Sequence, residues 1–393
     1  MSESSSNPRL GRFVVTPVAG EIVRAFVPPA LPPEPPIDVL ALLDRLSLAE
    51  RALGRLDGIT ILLPRQELFL YMYVRKEAVL SSQIEGTQST LSDLLRFETE
   101  AQAGQPIDDI REVSNYVDAM MYGLKRLEEL PLSLRLIREM HERLLQSGRG
   151  GTKNPGEFRR SQNWIGGSRP GNALFVPPPP IEMEQCLDAL ERFMHEESSR
   201  LPAVIKAGLL HVQFETIHPF LDGNGRIGRL LVTLYLCVNG VLRTPLLYLS
   251  LYLKTHRADY YRLLQEVREH GAWEGWLDFF LTGIADTANQ AFEAATRIVD
   301  LFKEDRERIT AESDRAGSAL RIHELFQQNP FLTATQLVQK TGLSAPTVNA
   351  ALADLERFGI IGEITGRKRG RVFSYLRYLA ILSEGTDPLP TQA

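Results

Sequence analysis

The chain has 393 residues, 44 basic against 49 acidic side chains and 44% hydrophobic content, the profile of a globular protein of two or three domains. Disordered tails, collagens and small disulfide scaffolds are excluded, and a net charge of −5 leaves any contact with nucleic acid to a local basic patch. Two cysteines, Cys186 and Cys237, cannot form a disulfide framework, and neither a signal-peptide pattern nor an apolar run of roughly 18 residues is present, so we expect a cytoplasmic protein without membrane insertion.

Residues 1–36 end in the run Pro28-Pro29-Ala30-Leu31-Pro32-Pro33-Glu34-Pro35-Pro36. Proline removes donors and disfavours helix, which predicts an extended arm lying on something larger, with regular structure starting near Ile37. From there to about residue 130 apolar residues recur at intervals of three and four, as in Leu40, Leu43 and Leu46 or Val113, Tyr116 and Met120, the mark of amphipathic helices. Residues 150–180 break that period with glycine and proline around two β-prone pieces, 163–165 and 173–176, which predicts a hairpin. Helical period resumes from Ile181 to about Arg306, and the polar stretch that follows reads as a linker. The expected order is an arm (1–36), a helical region (37–130), a helical core with the hairpin (131–306), a linker (307–318), a small C-terminal domain (319–377) and a tail (378–393).

The chemistry is concentrated between His211 and Arg229. A helix running from Pro202 should end at His218, because Pro219 disfavours helical backbone in the residue before it. Asp222-Gly223-Asn224-Gly225 can form a tight loop whose amides converge at the start of a new helix, and such amides bind anions. Arg226 and Arg229 lie three apart on the first turn of that helix, where a bare helix would rather carry acids, so two cations there imply a bound polyanion. Asp222 would set a carboxylate beside the phosphates, as a Mg²⁺ site needs, and His218 is the natural base for an attacking hydroxyl. Together these parts describe phosphoryl or nucleotidyl transfer. A zinc site on His211 and His218 is disfavoured, since seven residues span roughly 10 Å of helix.

The stretch His218-Pro219-Phe220-Leu221-Asp222-Gly223-Asn224-Gly225-Arg226-Ile227-Gly228-Arg229 resembles the signature of Fic-domain proteins at every defining position. The likeness extends over most of residues 40–300, including Gly156-Glu157-Phe158-Arg159-Arg160 and Tyr260-Tyr261-Arg262-Leu263-Leu264. It implies a mostly α fold, a Fic helical core with a β-hairpin flap over 161–176, and the transfer of AMP from ATP, with Mg²⁺, onto a Ser, Thr or Tyr hydroxyl of a protein, the chain itself included. On these positions it makes His218 the base and Asp222 the metal ligand. Gly223, Asn224 and Gly225 would cradle the phosphates, Arg226 and Arg229 would clamp the outer ones, and Ile227 and Gly228 complete the nucleotide-binding stretch. Phe220 would be core, and Tyr261 would line the nucleotide pocket. The flap would align a target segment as an added strand edge.

Ser81-Ser82-Gln83-Ile84-Glu85-Gly86 resembles the family's inhibitory pattern. A spacing of four sets Ser81 and Glu85 on one helix face, and Gly86 can end the helix. Glu85, at the unfavourable end of a helix dipole, benefits from an external cation. The resemblance supplies Arg229, whose capture would remove the γ-phosphate clamp. Removal of AMP from a modified protein is an alternative activity of the same site.

In the C-terminal domain Thr333-Ala334-Thr335-Gln336 is a capping box, Gly342 a turn, and Ser344-Ala345-Pro346 opens a second helix. This is a helix-turn-helix outline, and Gly366-Arg367-Lys368-Arg369-Gly370-Arg371 between two β-prone pieces adds a basic wing. The winged helix can be read as a DNA-binding module or as a dimerisation or protein-docking module. A DNA-binding regulator with a nucleotide-sensing Fic core is accordingly the competing function, and the sequence leaves a homo-oligomer open.

Overall fold

Alternating side chains on either side of Ala19-Gly20 build the first regular element, an antiparallel hairpin of β1 (Arg12–Val18) and β2 (Glu21–Val27). Ala19 and Gly20 both take positive φ, 49° and 83°, as a two-residue turn matched to strand twist requires. The structure, a computed structural model, describes residues 9–62, 66–99, 108–196, 200–367 and 369–390. The hairpin corrects the expectation that regular structure begins near Ile37. Val14, Val15, Thr16, Ile22, Val23 and Phe26 favour strand, the proline-dense run starts only at Pro28, and Pro17 sits in a strand with an open edge that tolerates its missing donor. The proline run itself lies on the helical core, where Pro29 O accepts from Gln213 Nε2 at 2.7 Å.

The helices α1 (Leu43–Leu62), α2 (Gln66–Ile84), α3 (Leu91–Thr99), α4 (Asp108–Arg126), α5 (Leu134–Leu144) and α6 (Pro180–His195) surround an antiparallel pair, α7 (Ala203–Ile217) and α8 (Asn224–Val238). Residues 204–217 of α7 are all buried, as befits a helix that is apolar on every side. Gly208 admits the next layer, since a Cβ there would lie 2.9 Å from Leu277 and Phe280, and its carbonyl accepts from the Trp276 indole at 2.8 Å. The layer is completed by α9 (Ser250–Thr255), α10 (Arg257–His270) and α11 (Trp273–Glu312), a helix of 40 residues.

Because α11 continues through Glu312, residues 307–312 are not the linker read from their polarity. Ile309 is buried, and Arg308 pairs with Glu312 within the helix and donates to Phe358 O. Only residues 313–315 intervene before α12 (Ala316–Gln328). The C-terminal domain then runs through β3 (Phe331–Thr333), α13 (Ala334–Thr341), α14 (Ala345–Arg357), β4 (Gly362–Glu363) and β5 (Val372–Ser374), with sheet order β3-β5-β4. The capping box forms on Thr333 and Gln336, and Ser344 caps α14, which gives the winged helix. Lys368 lies outside the described residues.

The expected tail is also corrected. Residues 376–383 form α15 (Leu376–Ser383), with Tyr378, Ile381 and Leu382 buried, because its apolar face packs on α2, α3 and α11. Beyond it, Thr386 O accepts from Gln83 Nε2 at 2.7 Å, Lys254 donates to Gly385 O at 3.1 Å and to Asp387 O, and Arg297 pairs with Glu384. A continuous apolar cluster therefore runs from Ile37 to Leu382. Among the described residues no helix is long and apolar enough to cross a membrane.

Candidate active site

The backbone after α7 turns on His218, which takes a left-handed conformation, φ 51° and ψ 60°. A non-glycine residue there is held by its surroundings at some cost, a feature that concentrates at functional sites. His218 Nδ1 faces Glu215 O at 3.3 Å, so it carries the ring proton and leaves Nε2 as the acceptor. Burial, then the charge of Arg268, pushes the His218 pKa down to about 3, which keeps the ring in its base form at neutral pH.

The loop that follows is closed by its own side chains. Asn224 Oδ1 accepts from Phe220 N at 2.8 Å and Asn224 Nδ2 donates to Phe220 O at 2.9 Å, so this amide serves the loop and only its backbone is left for a ligand. Phe220 is fully buried and stacks on His141 at 3.7 Å between ring centroids, as a core residue should. His141 accepts from Gly156 N at Nδ1, 2.9 Å, so Nε2 holds the proton it donates to Asp222 O at 3.0 Å. Gly223, at φ 78°, turns the chain into α8.

Asp222 uses Oδ1 for Gly223 N at 2.6 Å and Arg226 Nη2 at 3.3 Å, and no described hydrogen bond engages Oδ2. Arg226, 1% exposed, also meets Glu112 at 3.4 Å. Arg229, 2% exposed in its side chain, donates to Ser81 Oγ at 2.8 Å, to Ser81 O at 3.0 Å and to Glu85 Oε1 at 2.7 Å. Burial disfavours the Glu85 charge, and Arg229 overrides it, so its carboxyl lies below the ordinary carboxylate value. That carboxylate sits over the start of α8, where a Cβ on Gly225 would come within 2.4 Å of it. Glu85 follows the last residue of α2, and Gly86 takes φ 99°.

A cavity of about 350 Å³ is lined by Glu85, Arg149, His218, Leu221, Asp222, Gly223, Asn224, Gly225 and Arg226. The structure thus brings together most of the residues read from the sequence. Ile227 instead points into the apolar core, Gly228 abuts Glu215 and Phe214, and Tyr261 on α10 is 43% exposed beneath Arg257 and does not line the cavity. Both arginines expected to meet a polyanion are engaged by acids of the chain itself.

Four contributors were not singled out in the sequence: His141, which holds the loop, Glu112, which pairs with Arg226, and the buried Arg159 and Arg268 beside His218. Glu112, His141 and Arg268 are single residues on helices and carry no local pattern that marks them, whereas Arg159 lies in a loop, inside the quoted Gly156-Glu157-Phe158-Arg159-Arg160 stretch, and was given no role of its own. The flap is sparer than a full hairpin, with one bridge, Ile165 to Phe175. Gly166 and Gly167 and the 3₁₀ turn Pro170–Asn172 occupy its middle, and Val176 O accepts from Phe26 N of β2 rather than from the flap's own first strand.

A helical core with a glycine-containing loop at a helix N-terminus, beside a histidine at the preceding helix end, is an arrangement whose open amides suit an anion. Residues 43–125 match the Fic/DOC family N-terminal region, residues 131–236 the Fic/DOC family, and residues 317–361 the winged helix-turn-helix DNA-binding family. Residues 131–236 are thus a Fic domain, with a winged helix on its C-terminal side. The protein adenylyltransferase Fic of Drosophila grimshawi is 32% identical over 214 residues, 53% of this chain and 40% of that protein, and that of Drosophila virilis is 33% identical over 53% of this chain and 40% of its own. The chain thus spans about two fifths of the length of these curated relatives. A Fic family protein from Desulfovibrio desulfuricans shares the fold at a TM-score of 0.55 and 21% identity, over 85% of this chain and 95% of that one.

Proposed function

We propose that the chain transfers AMP from ATP to a Ser, Thr or Tyr hydroxyl of a protein, itself among the targets, and that Glu85 restrains it. The observation that carries this reading is the cavity shared by His218, Asp222, the start of α8 and Glu85. His218 Nε2 accepts the proton of the target hydroxyl, whose oxygen attacks the α-phosphorus, and pyrophosphate leaves. The backbone amides of residues 223–225 hold phosphate oxygens at the positive end of α8. Glu85 supports the restraint because an internal carboxylate holds Arg229 and lies at the same helix end as the incoming phosphates. The test is transfer of label to protein from α-labelled ATP, with none transferred from γ-labelled ATP.

One carboxylate with an uncommitted oxygen fits a Mg²⁺ held mainly by phosphates. Asp222 would hold it, and it would neutralise phosphate charge. Asp222→Ala is expected to raise the Mg²⁺ concentration needed for half-maximal transfer, and an unmoved magnesium titration would speak against the assignment.

The winged helix supports a second reading, DNA contact. Asp354, an acid on α14 that would repel DNA, is buried and bonded to Arg357 and Ser313, whereas Asn349, Arg367, Arg369 and Arg371 are exposed. Neutralising the three wing arginines should flatten the salt dependence of DNA binding by about 0.9 in slope for each phosphate that is no longer neutralised. A gel shift with no wild-type complex at about 50 mM salt would leave the wing as a protein-docking surface.

A further inference from the structure

Arg159 is 2% exposed, and among the described residues no carboxylate lies within ion-pair distance of it. A buried guanidinium must spend its donors somewhere, and this one spends them on carbonyls from two parts of the chain. Nε donates to His218 O at 3.0 Å and Nη2 to Ile217 O at 3.4 Å, the carbonyls left open at the end of α7. Nη1 donates to Ser161 O at 3.1 Å and Nη2 also to Pro178 O, at the two feet of the flap. The Arg159 backbone N–H donates to Pro219 O at 2.9 Å, and Asn163 Nδ2 in the flap donates to Phe220 O at 3.1 Å.

We infer that Arg159 is a positioning residue that fixes both feet of the flap to the backbone of His218, so that a target strand aligned on the flap arrives at a set distance from the base. The inference rests on the transfer reading above. Arg268 repeats the pattern from the other side. Its guanidinium lies 4.0 Å from the Phe175 ring in the flap and donates to Thr216 Oγ1 and Glu215 O in the last turn of α7. Two cations thus tie the flap to one helix end, and neither touches the cavity. The geometry gives a reason for arginine at 159. Lysine keeps the charge but concentrates its donors on one nitrogen, which cannot reach four carbonyls set around the edge of a guanidinium.

The experiment compares Arg159→Lys with wild type in the Glu85→Gly background, full length. Transfer to protein should fall by about 10- to 100-fold through kcat, the scale of a small misplacement of reacting groups, while KM for ATP stays put. Hydrogen exchange of the protein without nucleotide should rise together in residues 161–178 and 217–220 and remain unchanged in α11. Unchanged kcat, or exchange that rises across the whole core as for a merely structural residue, would overturn the inference. Should the lysine variant not accumulate folded, Arg159→Gln, which keeps a planar donor without charge, is read in the same two ways. If the Glu85→Gly parent transfers no AMP at all, the transfer reading fails on its own, and the paired exchange still decides whether Arg159 joins flap and base.

Discussion

Glu85→Gly is expected to raise AMP transfer by about 5- to 150-fold, the usual range of a coupling free energy between two sites. The Glu85 carboxylate has two roles in the resting site. It holds Arg229 Nη2 at 2.7 Å, and it places negative charge over Gly225 at the start of α8, where the helix dipole and open amides would otherwise favour phosphate. Deleting it frees the cation and empties the helix end together. Ser81 still receives Arg229 Nε at 2.8 Å, so the arginine stays in place without its acid. Arg229→Ala should lower transfer with or without Glu85, and the double variant should match the Arg229 single variant because the restraint has nothing left to hold. Rates for Glu85→Gly equal to wild type on every target tried, with ATP binding intact, would reduce residues 81–86 to an ordinary helix end.

The second large effect belongs to His218. Replacing it by alanine should remove about 10² to 10⁴ of the transfer rate, the scale of a general base, with nucleotide affinity nearly kept. Alanine at φ 51° bears much the same backbone strain as histidine, so the fold should survive the change. The pH profile adds a sign. With its pKa depressed to about 3 by burial and then Arg268, the histidine remains a base throughout the neutral range and protonates only in strong acid. Transfer should therefore not fall as pH drops from about 8 to about 6, and a rate that halves near the ordinary histidine value of about 6.5 would contradict a buried, neutral His218.

Much of this site was legible because its parts are contiguous. Helix end, proline, glycine loop and helix start follow one another from His218 to Arg229, and each step obeys a local backbone rule. The pairing of Arg229 with Glu85 joined positions 144 residues apart, and only the resemblance connected them, since no local rule reaches so far. His141 and Glu112 were illegible for the same reason: their work lies in contacts with a loop far along the chain. The N-terminal hairpin is a different case. Burial alternates there, with Phe13, Val15, Pro17, Ile22 and Arg24 exposed and Val23 and Ala25 buried, but apolar side chains stand on both faces, so the sequence carries no polar and apolar period of two to set against the prolines after it. The linker reading failed where polarity was taken for a break between domains, although a solvated helix face is equally polar.

The strap that follows α15 bears on how the protein can be taken apart. Lys254 and Gln83 are both buried, and both rely on carbonyls of residues 385–387. Cutting between Glu312 and Ala316 would take two carbonyl acceptors from the Lys254 ammonium and one from the Gln83 amide, leaving them the bond to each other at 2.7 Å, the Gln83 bond to Ser89 O at 2.9 Å, and water. Gln83 lies two residues before Glu85, so the severed half would carry its looseness at the very turn that holds Arg229. A core prepared without its winged helix is therefore expected to differ from the intact chain at the contact between Glu85 and Arg229, and not in size alone.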